Sequence, residues 1–198
     1  MAADLTIAIL AGGRSSRMGT DKSFVQVLGR PLIEDILAQS AGLGDETLIV
    51  TNRPDDFAYL GVPLFTDVLP DKGALGGLYS ALHSATRRHV LCIACDMPFV
   101  VRPLLDYLIQ LMPAADAIVP RLGGEAEPFR AIYDRDCLGP IRAALDAGRM
   151  RVISFFPEVR VRFVDEAEID RFDPRHLSFF NVNTPSDLEQ ARRLAVEP

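Results

Sequence analysis

Thirteen residues, LAGGRSSRMGTDK from Leu10 to Lys22, gather three glycines, two arginines and a lysine. An anion site requires such a mixture. Glycine lets backbone N–H groups turn inward and approach a ligand closely, while Arg14, Arg17 and Lys22 supply positive charge. On the glycines alone, a plain connection with solvated charges reads the same way. Two common phosphate loops do not fit. GxGxxG is absent because the glycines stand at Gly12, Gly13 and Gly19, and GxxxxGK[ST] fails because Lys22 does not directly follow Gly19. Dinucleotide binding and P-loop hydrolysis are therefore not the first readings.

Asp96 is the second residue with chemistry in its placement. It ends the apolar run HVLCIAC at 89–95, and a carboxylate buried there unpaired would be costly, so it calls for a cation or an exposed cleft. Magnesium takes hard oxygen ligands, keeps one or two protein carboxylates and fills its shell with water and phosphate oxygens. Asp96 suits that role; the alternative is an N-cap for the segment after Pro98. Asp67 follows VPLFT in a similar way and could equally be a turn residue. GALGG at 73–77 reads as a second glycine loop with too little side chain to obstruct a flat base, leading to a helix after Gly77 whose first amides could face a ligand. Plain loop flexibility explains those glycines equally well. His83, His89 and His176 are isolated and have no nucleophile at a recognisable spacing. Lys22 and Lys72 are the sole lysines among 21 basic residues, and both fall in these glycine-containing loops.

The elements that must position these residues alternate between strand-like and helix-like patterns, as in an α/β sheet. LTIAIL (5–10), TLIVT (47–51), VPLFT (62–66), HVLCIAC (89–95), DAIVP (116–120), FRAIY (129–133), VRVRFV (159–164) and LSFFNV (177–182) read as strands. Segments 31–41, 54–59, 78–86, 103–112, 134–147 and 185–195 read as helices, the last capped by Thr184. HVLCIAC is too continuously apolar for a surface strand and belongs at the centre. VRVRFV alternates as an edge strand does. In an open sheet of this kind ligands sit outside the carboxyl ends of the strands. That rule would gather the first glycine loop, Asn52, Asp67 and Asp96 on one rim.

With 198 residues and 48% hydrophobic content the chain suits a single domain over 1–198 with an ample core. No apolar run approaches a membrane span, and the N-terminus carries no charged region followed by an apolar stretch, which predicts a cytoplasmic protein without a membrane partner. The net charge of -6 and the scattered basic residues disfavour nucleic acid. An anionic substrate must then be drawn in by local charge, which the first loop would supply. Three cysteines argue against a disulfide framework, and a strand would point Cys92 and Cys95 to opposite faces, against a zinc site.

The full thirteen-residue pattern resembles the signature loop LAGGxSxRMGxxK of nucleotidyltransferases with a Rossmann-like fold, matched position by position. In such chemistry a phosphate oxyanion attacks the α-phosphate of a nucleoside triphosphate, no proton need be removed, and alignment and charge neutralisation carry catalysis. Arg17 and Lys22 would hold the triphosphate and Asp96 the metal. Together with TD before GALGG, CDMPF at 95–99 and FNVNTPSDL at 180–188, the loop makes the chain resemble the molybdenum cofactor guanylyltransferases over residues 10–188. The resemblance implies a three-layer Rossmann-like nucleotidyltransferase fold with a mostly parallel central sheet. It also implies magnesium-dependent transfer of GMP from GTP to the molybdopterin cofactor, with release of pyrophosphate. Carried over by position, Leu10, Ala11, Gly12, Lys22, Asp67 and Asp96 contact the nucleotide, with Gly13 and Gly77 beside them, and Asp96 also the metal. One departure stands out: the family's nucleotide-contacting asparagine falls nearer Val50, and Asn52 is offset by two positions. Asn181 and Asn183 would face molybdopterin, or would serve as strand-end and capping residues. NVNTP favours the guanylyltransferases over the cytidylyltransferases of the same cofactor. A cytidylyltransferase, a sugar-phosphate nucleotidyltransferase and a non-catalytic cofactor-delivery module remain as alternatives. Whether a molybdoenzyme or its chaperone receives the product stays open.

Overall fold

Side-chain alternation along the strands decides the layering. The computed structural model describes residues 4–12, 22–27 and 29–196. Its strands are β1 (Leu5–Leu10), β2 (Glu46–Val50), β3 (Leu64–Phe65), β4 (His89–Ala94), β5 (Ala117–Leu122), β6 (Glu125–Ala126), β7 (Arg130–Asp134) and β8 (Val161–Val164). Leu5, Ile7 and Ile9 of β1 join Leu91 and Ile93 of β4 in one apolar cluster, while Ala8, Val90 and Cys92 join a second on the other face. A sheet apolar on both faces needs cover on both. Helices α1 (Leu32–Ser40), α2 (Pro54–Phe57), α3 (Gly73–Ser84), α4 (Arg102–Gln110), α5 (Leu138–Asp146), α6 (Glu166–Ile169) and α7 (Pro185–Val196) complete the chain. Ile33 and Ile36 of α1 and Leu104, Leu105 and Leu108 of α4 cover the first face. Leu75, Leu78 and Leu82 of α3 and Ile141 and Leu145 of α5 cover the second, giving three layers.

The strand order is β3-β2-β1-β4-β7-β5-β6, with β8 paired to β5. Strands β1 to β4 and the β5–β8 pair are parallel, and β7 runs antiparallel between β4 and β5. The mostly parallel sheet and the central place of HVLCIAC are as the sequence predicts, and β8 lies at an edge. Cys92 and Cys95 fall in different clusters, and all three cysteines are buried thiols outside any disulfide.

Two expectations are corrected. GALGG is not a loop: α3 begins at Gly73, which enters it at φ +58°, and Gly76 N–H already donates to Lys72 O at 3.1 Å. Burial of Leu75 and Gly76 against the sheet outweighs the poor helix propensity of three glycines. LSFFNV is not a strand either. Leu177–Phe179 is a 3-10 turn entered from His176 at φ +52°, and the segment beyond it makes one ladder-like bond, Val182 N–H to Asp96 O at 2.8 Å. Both edges of β4 are taken by β1 and β7, so this apolar run lies across the end of the strand instead of along it. The two-residue β6 was not foreseen.

Candidate active site

Register brings the strand ends to one level. Leu10 is paired with Val50 and with Ala94, and Val50 with Phe65. Each ladder is extended by one step: Ala11 N–H donates to Val50 O at 2.9 Å, Cys95 N–H to Leu10 O at 3.1 Å and Thr51 N–H to Phe65 O at 2.8 Å. The next residues leave the sheet together. Gly12, Asn52, Asp67 and Asp96 therefore stand along one rim, as the rule for open sheets requires.

Leu10 is half-buried, Ala11 is buried, and Gly12 is exposed, with no atom of the described residues within 4 Å of an added Cβ. Gly13, Arg14 and Arg17 lie outside the described residues, as does the side chain of Lys22. The Lys22 backbone opens a short 3-10 turn, Lys22–Phe24, and the Ser23 hydroxyl meets the Cys95 thiol at 3.3 Å. Residues adjacent to Lys22 and to Asp96 thus touch, although 72 positions separate them in the chain.

Asn52 and Asp67 are locked to each other. Asn52 Nδ2 donates to Asp67 Oδ2 at 2.7 Å, and Asp67 N–H donates to Asn52 Oδ1 at 3.1 Å. Val50, the gapless match to the family's asparagine, is only 3% exposed inside β2, so Asn52 is the residue that stands at the rim. The Ser80 hydroxyl accepts Val68 N–H at 2.9 Å and donates to Gly76 O at 2.8 Å, tying the turn after Asp67 to α3. Gly77 lies inside α3. The amides its N-terminus presents belong to the turn from Gly73, yet a Cβ at Gly77 would meet nothing within 4 Å among the described residues. A groove of about 340 Å³ adjoins that turn, lined by Ala74, Glu125, Pro128, Met150 and Arg151 among others.

Asp96 is half-buried directly past β4, and the segment from 177 to 183 packs on its turn. Val182, fully buried, bonds to the Asp96 carbonyl and separates Asn181 from Asn183. Asn181 Nδ2 donates to Phe179 O at 3.1 Å. Asn183 N–H donates to the Asp187 carboxylate at 2.9 Å. Asp187 N–H in turn reaches the Thr184 hydroxyl at 3.2 Å, the predicted cap of α7.

Sequence reasoning missed Arg130. It opens β7 opposite Ile93 and is fully buried, with Nη2 donating to Met97 O at 3.0 Å and Nε to Ser178 O at 3.1 Å. Burial pulls its pKa down to about 10, opposed by the nearby carboxylates of Asp173, Asp96 and Glu127, so it remains a cation at neutral pH. A charged residue inside the apolar run FRAIY was the available signal. Burial likewise pushes the Cys137 thiol up to about 12 and the Cys92 thiol further still, which fits packing roles. Of the histidines, His83 stacks on Tyr79, His89 lies 3.8 Å from Asp134 and His176 bonds Asp170 at 2.6 Å, none of them rim residues.

Residues 7–161 match the MobA-like NTP transferase domain family. A probable molybdenum cofactor guanylyltransferase of Pelotomaculum thermopropionicum is 36% identical over 190 residues, covering 96% of this chain and 93% of that protein. A molybdenum cofactor guanylyltransferase of Syntrophotalea carbinolica is 36% identical over 93% of this chain and 89% of its own. Among solved structures, molybdopterin-guanine dinucleotide biosynthesis protein A of Archaeoglobus fulgidus superposes with a TM-score of 0.84 at 26% identity, covering 96% of this chain and 98% of that one.

Proposed function

The chain belongs to the MobA-like NTP transferase family and is a nucleotidyltransferase, and we propose that it transfers GMP from GTP to the molybdopterin cofactor. A phosphate oxygen of molybdopterin attacks the α-phosphorus of GTP in line, the bond from that phosphorus to the bridging oxygen breaks, and pyrophosphate leaves. The observation that carries this reading is the common level of the four parallel strand ends, which sets Gly12, Asn52, Asp67 and Asp96 beside one another. Backbone N–H groups after Leu10, with Gly13, Arg17 and Lys22, take the triphosphate; Asn52, Asp67 and the Gly77 face of α3 border the nucleoside; Asn181 and Asn183 border molybdopterin. An attacking phosphate oxyanion carries no proton to remove, so the reaction needs no general base, in keeping with histidines placed away from the rim.

The residues fit magnesium. Among the described residues no group of three His, Cys, Asp or Glu side chains could cage a metal, whereas Asp96 stands half-buried at the rim. A single carboxylate, with water and phosphate oxygens as the other ligands, is a usual magnesium arrangement. The ion would neutralise charge on the phosphates, and Asp96 would hold it. Buried thiols outside any disulfide suit a reducing compartment, and we place the reaction in the cytoplasm.

Pyrophosphate release measured with molybdopterin and either GTP or CTP tests the proposal. GTP is expected to be favoured by about tenfold or more in kcat/KM. A preference for CTP would reject the guanylyl assignment while leaving nucleotidyl transfer in place.

A further inference from the structure

Arg130 occupies a position where an aliphatic residue would satisfy the sheet. Ala131 and Ile132, which follow it in β7, are fully or almost fully buried and apolar. A guanidinium in such a place must find acceptors or lose its hydration without return. It finds two, and both are main-chain carbonyls at the rim: Met97 O, one residue past Asp96, and Ser178 O, three residues before Asn181. The Nη1 group is buried and has no hydrogen-bond partner among the described residues. A side chain selected for stability alone would not leave donors idle. What the two bonds do accomplish is to give a polar bridge between segments that otherwise meet through apolar packing, Phe99 against Phe180 and Val182. Val182 N–H to Asp96 O is a second tie between them, at 2.8 Å. The far segment is itself stiffened by Asp173, which is 3% exposed and accepts the N–H groups of Leu177 and Ser178 at 3.0 and 2.8 Å.

We propose that Arg130 is a positioning residue whose buried guanidinium couples the Asp96 turn to the 177–183 segment, fixing the spacing between the nucleotide side and the acceptor side of the site. This rests on the assignment above of Asp96 to the first side and of Asn181 and Asn183 to the second. Arg130 touches neither substrate. It acts through two carbonyls, and in-line transfer is sensitive to small errors in the approach of the acceptor.

The full chain carrying Arg130→Met, which keeps an unbranched side chain and removes the charge, is compared with Arg130→Lys and wild type. Arg130→Met is expected to raise the KM for molybdopterin by about tenfold or more, with the KM for GTP held within about twofold. Partial unfolding would lower the active concentration and move neither KM. Arg130→Lys, able to reach one carbonyl at a time, is expected to fall between, at about threefold. An unchanged molybdopterin KM, or equal shifts for both substrates, overturns the proposal. Should Arg130→Met not fold, the lysine variant decides alone on the same criterion. Hydrogen exchange supplies a readout that does not need the reaction: in the variant that folds, the amides of Leu177, Ser178 and Val182 should lose protection while those of α3 keep it. Protection left intact at those three amides also overturns the coupling. If wild type turns over neither GTP nor molybdopterin, the reaction assignment fails, and exchange still decides the coupling.

Discussion

Asp96 is fixed by its backbone as firmly as by the strand that precedes it. Its carbonyl accepts Val182 N–H, the next carbonyl accepts the Arg130 guanidinium, and the preceding thiol meets Ser23. Replacing the side chain should leave those main-chain ties intact. Asp96→Ala is therefore expected to fold, with melting within a few degrees of wild type, and to release pyrophosphate on the order of 100-fold more slowly, as when a group stabilising transition-state charge is lost. Turnover at the wild-type rate would remove the metal role from this residue. Asp96 was legible in the sequence because a carboxylate ending an apolar run is conspicuous. Arg130 was not, because its value lies in carbonyls 33 and 48 positions away. Asn52 and Asp67 were each legible as strand-end residues, but their reciprocal hydrogen bonds appear only once β2 and β3 are paired.

At the scale of elements, the glycines of α3 separate into two kinds. A Cβ at Gly76 would fall 2.6 Å from Lys72 Cβ, whereas one at Gly77 would meet nothing within 4 Å among the described residues. Gly76→Ala should thus lower the melting temperature by several degrees, a loss of roughly 1–3 kcal/mol from overpacking. Gly77→Ala should raise stability by about 0.5–1 kcal/mol through helix propensity. If Gly77 borders the nucleoside, the same variant raises the KM for GTP by about tenfold. A stabilised protein with an unaltered KM would take Gly77 out of the site. The other end of the sheet supplies a pH dependence. Glu46 accepts the Thr6 hydroxyl from the neighbouring strand and both the N–H and the hydroxyl of Thr86. Burial by itself would raise its pKa, but these hydrogen bonds prevail and hold it below the ordinary 4.5. A carboxyl depressed on folding contributes stability that is complete above its unfolded value and is lost as the pH falls through the folded one. Glu46→Gln should cost about 1 kcal/mol or less at neutral pH, the group being partly solvated. Urea melts should show that difference begin to close near 4.5 and vanish at lower pH. A gap that persists undiminished below about pH 3 would contradict it.

For the whole molecule, a ligand held by turns from four strands should stabilise all of them at once. GTP with magnesium at about 100 times its Kd adds roughly 2.7 kcal/mol, which for a chain near this length raises Tm by about 5–10 °C. No shift at saturating GTP would remove the nucleotide site from this rim, and an equal shift with CTP would remove the base preference. The alternation of strand and helix, the central place of HVLCIAC, the edge place of VRVRFV and the opposite faces of Cys92 and Cys95 were all determined by the sequence, since periodicity and burial are properties of local stretches. The thirteen-residue loop likewise carries the resemblance to nucleotidyltransferases, which the family match over residues 7–161 bears out. Tertiary structure alone decided three things: that GALGG is helix, that LSFFNV crosses the end of β4, and that Arg130 ties that crossing to Asp96. Each turns on whether a partner is present or a strand edge already taken, and the packing of distant segments sets that, whatever the local residues prefer.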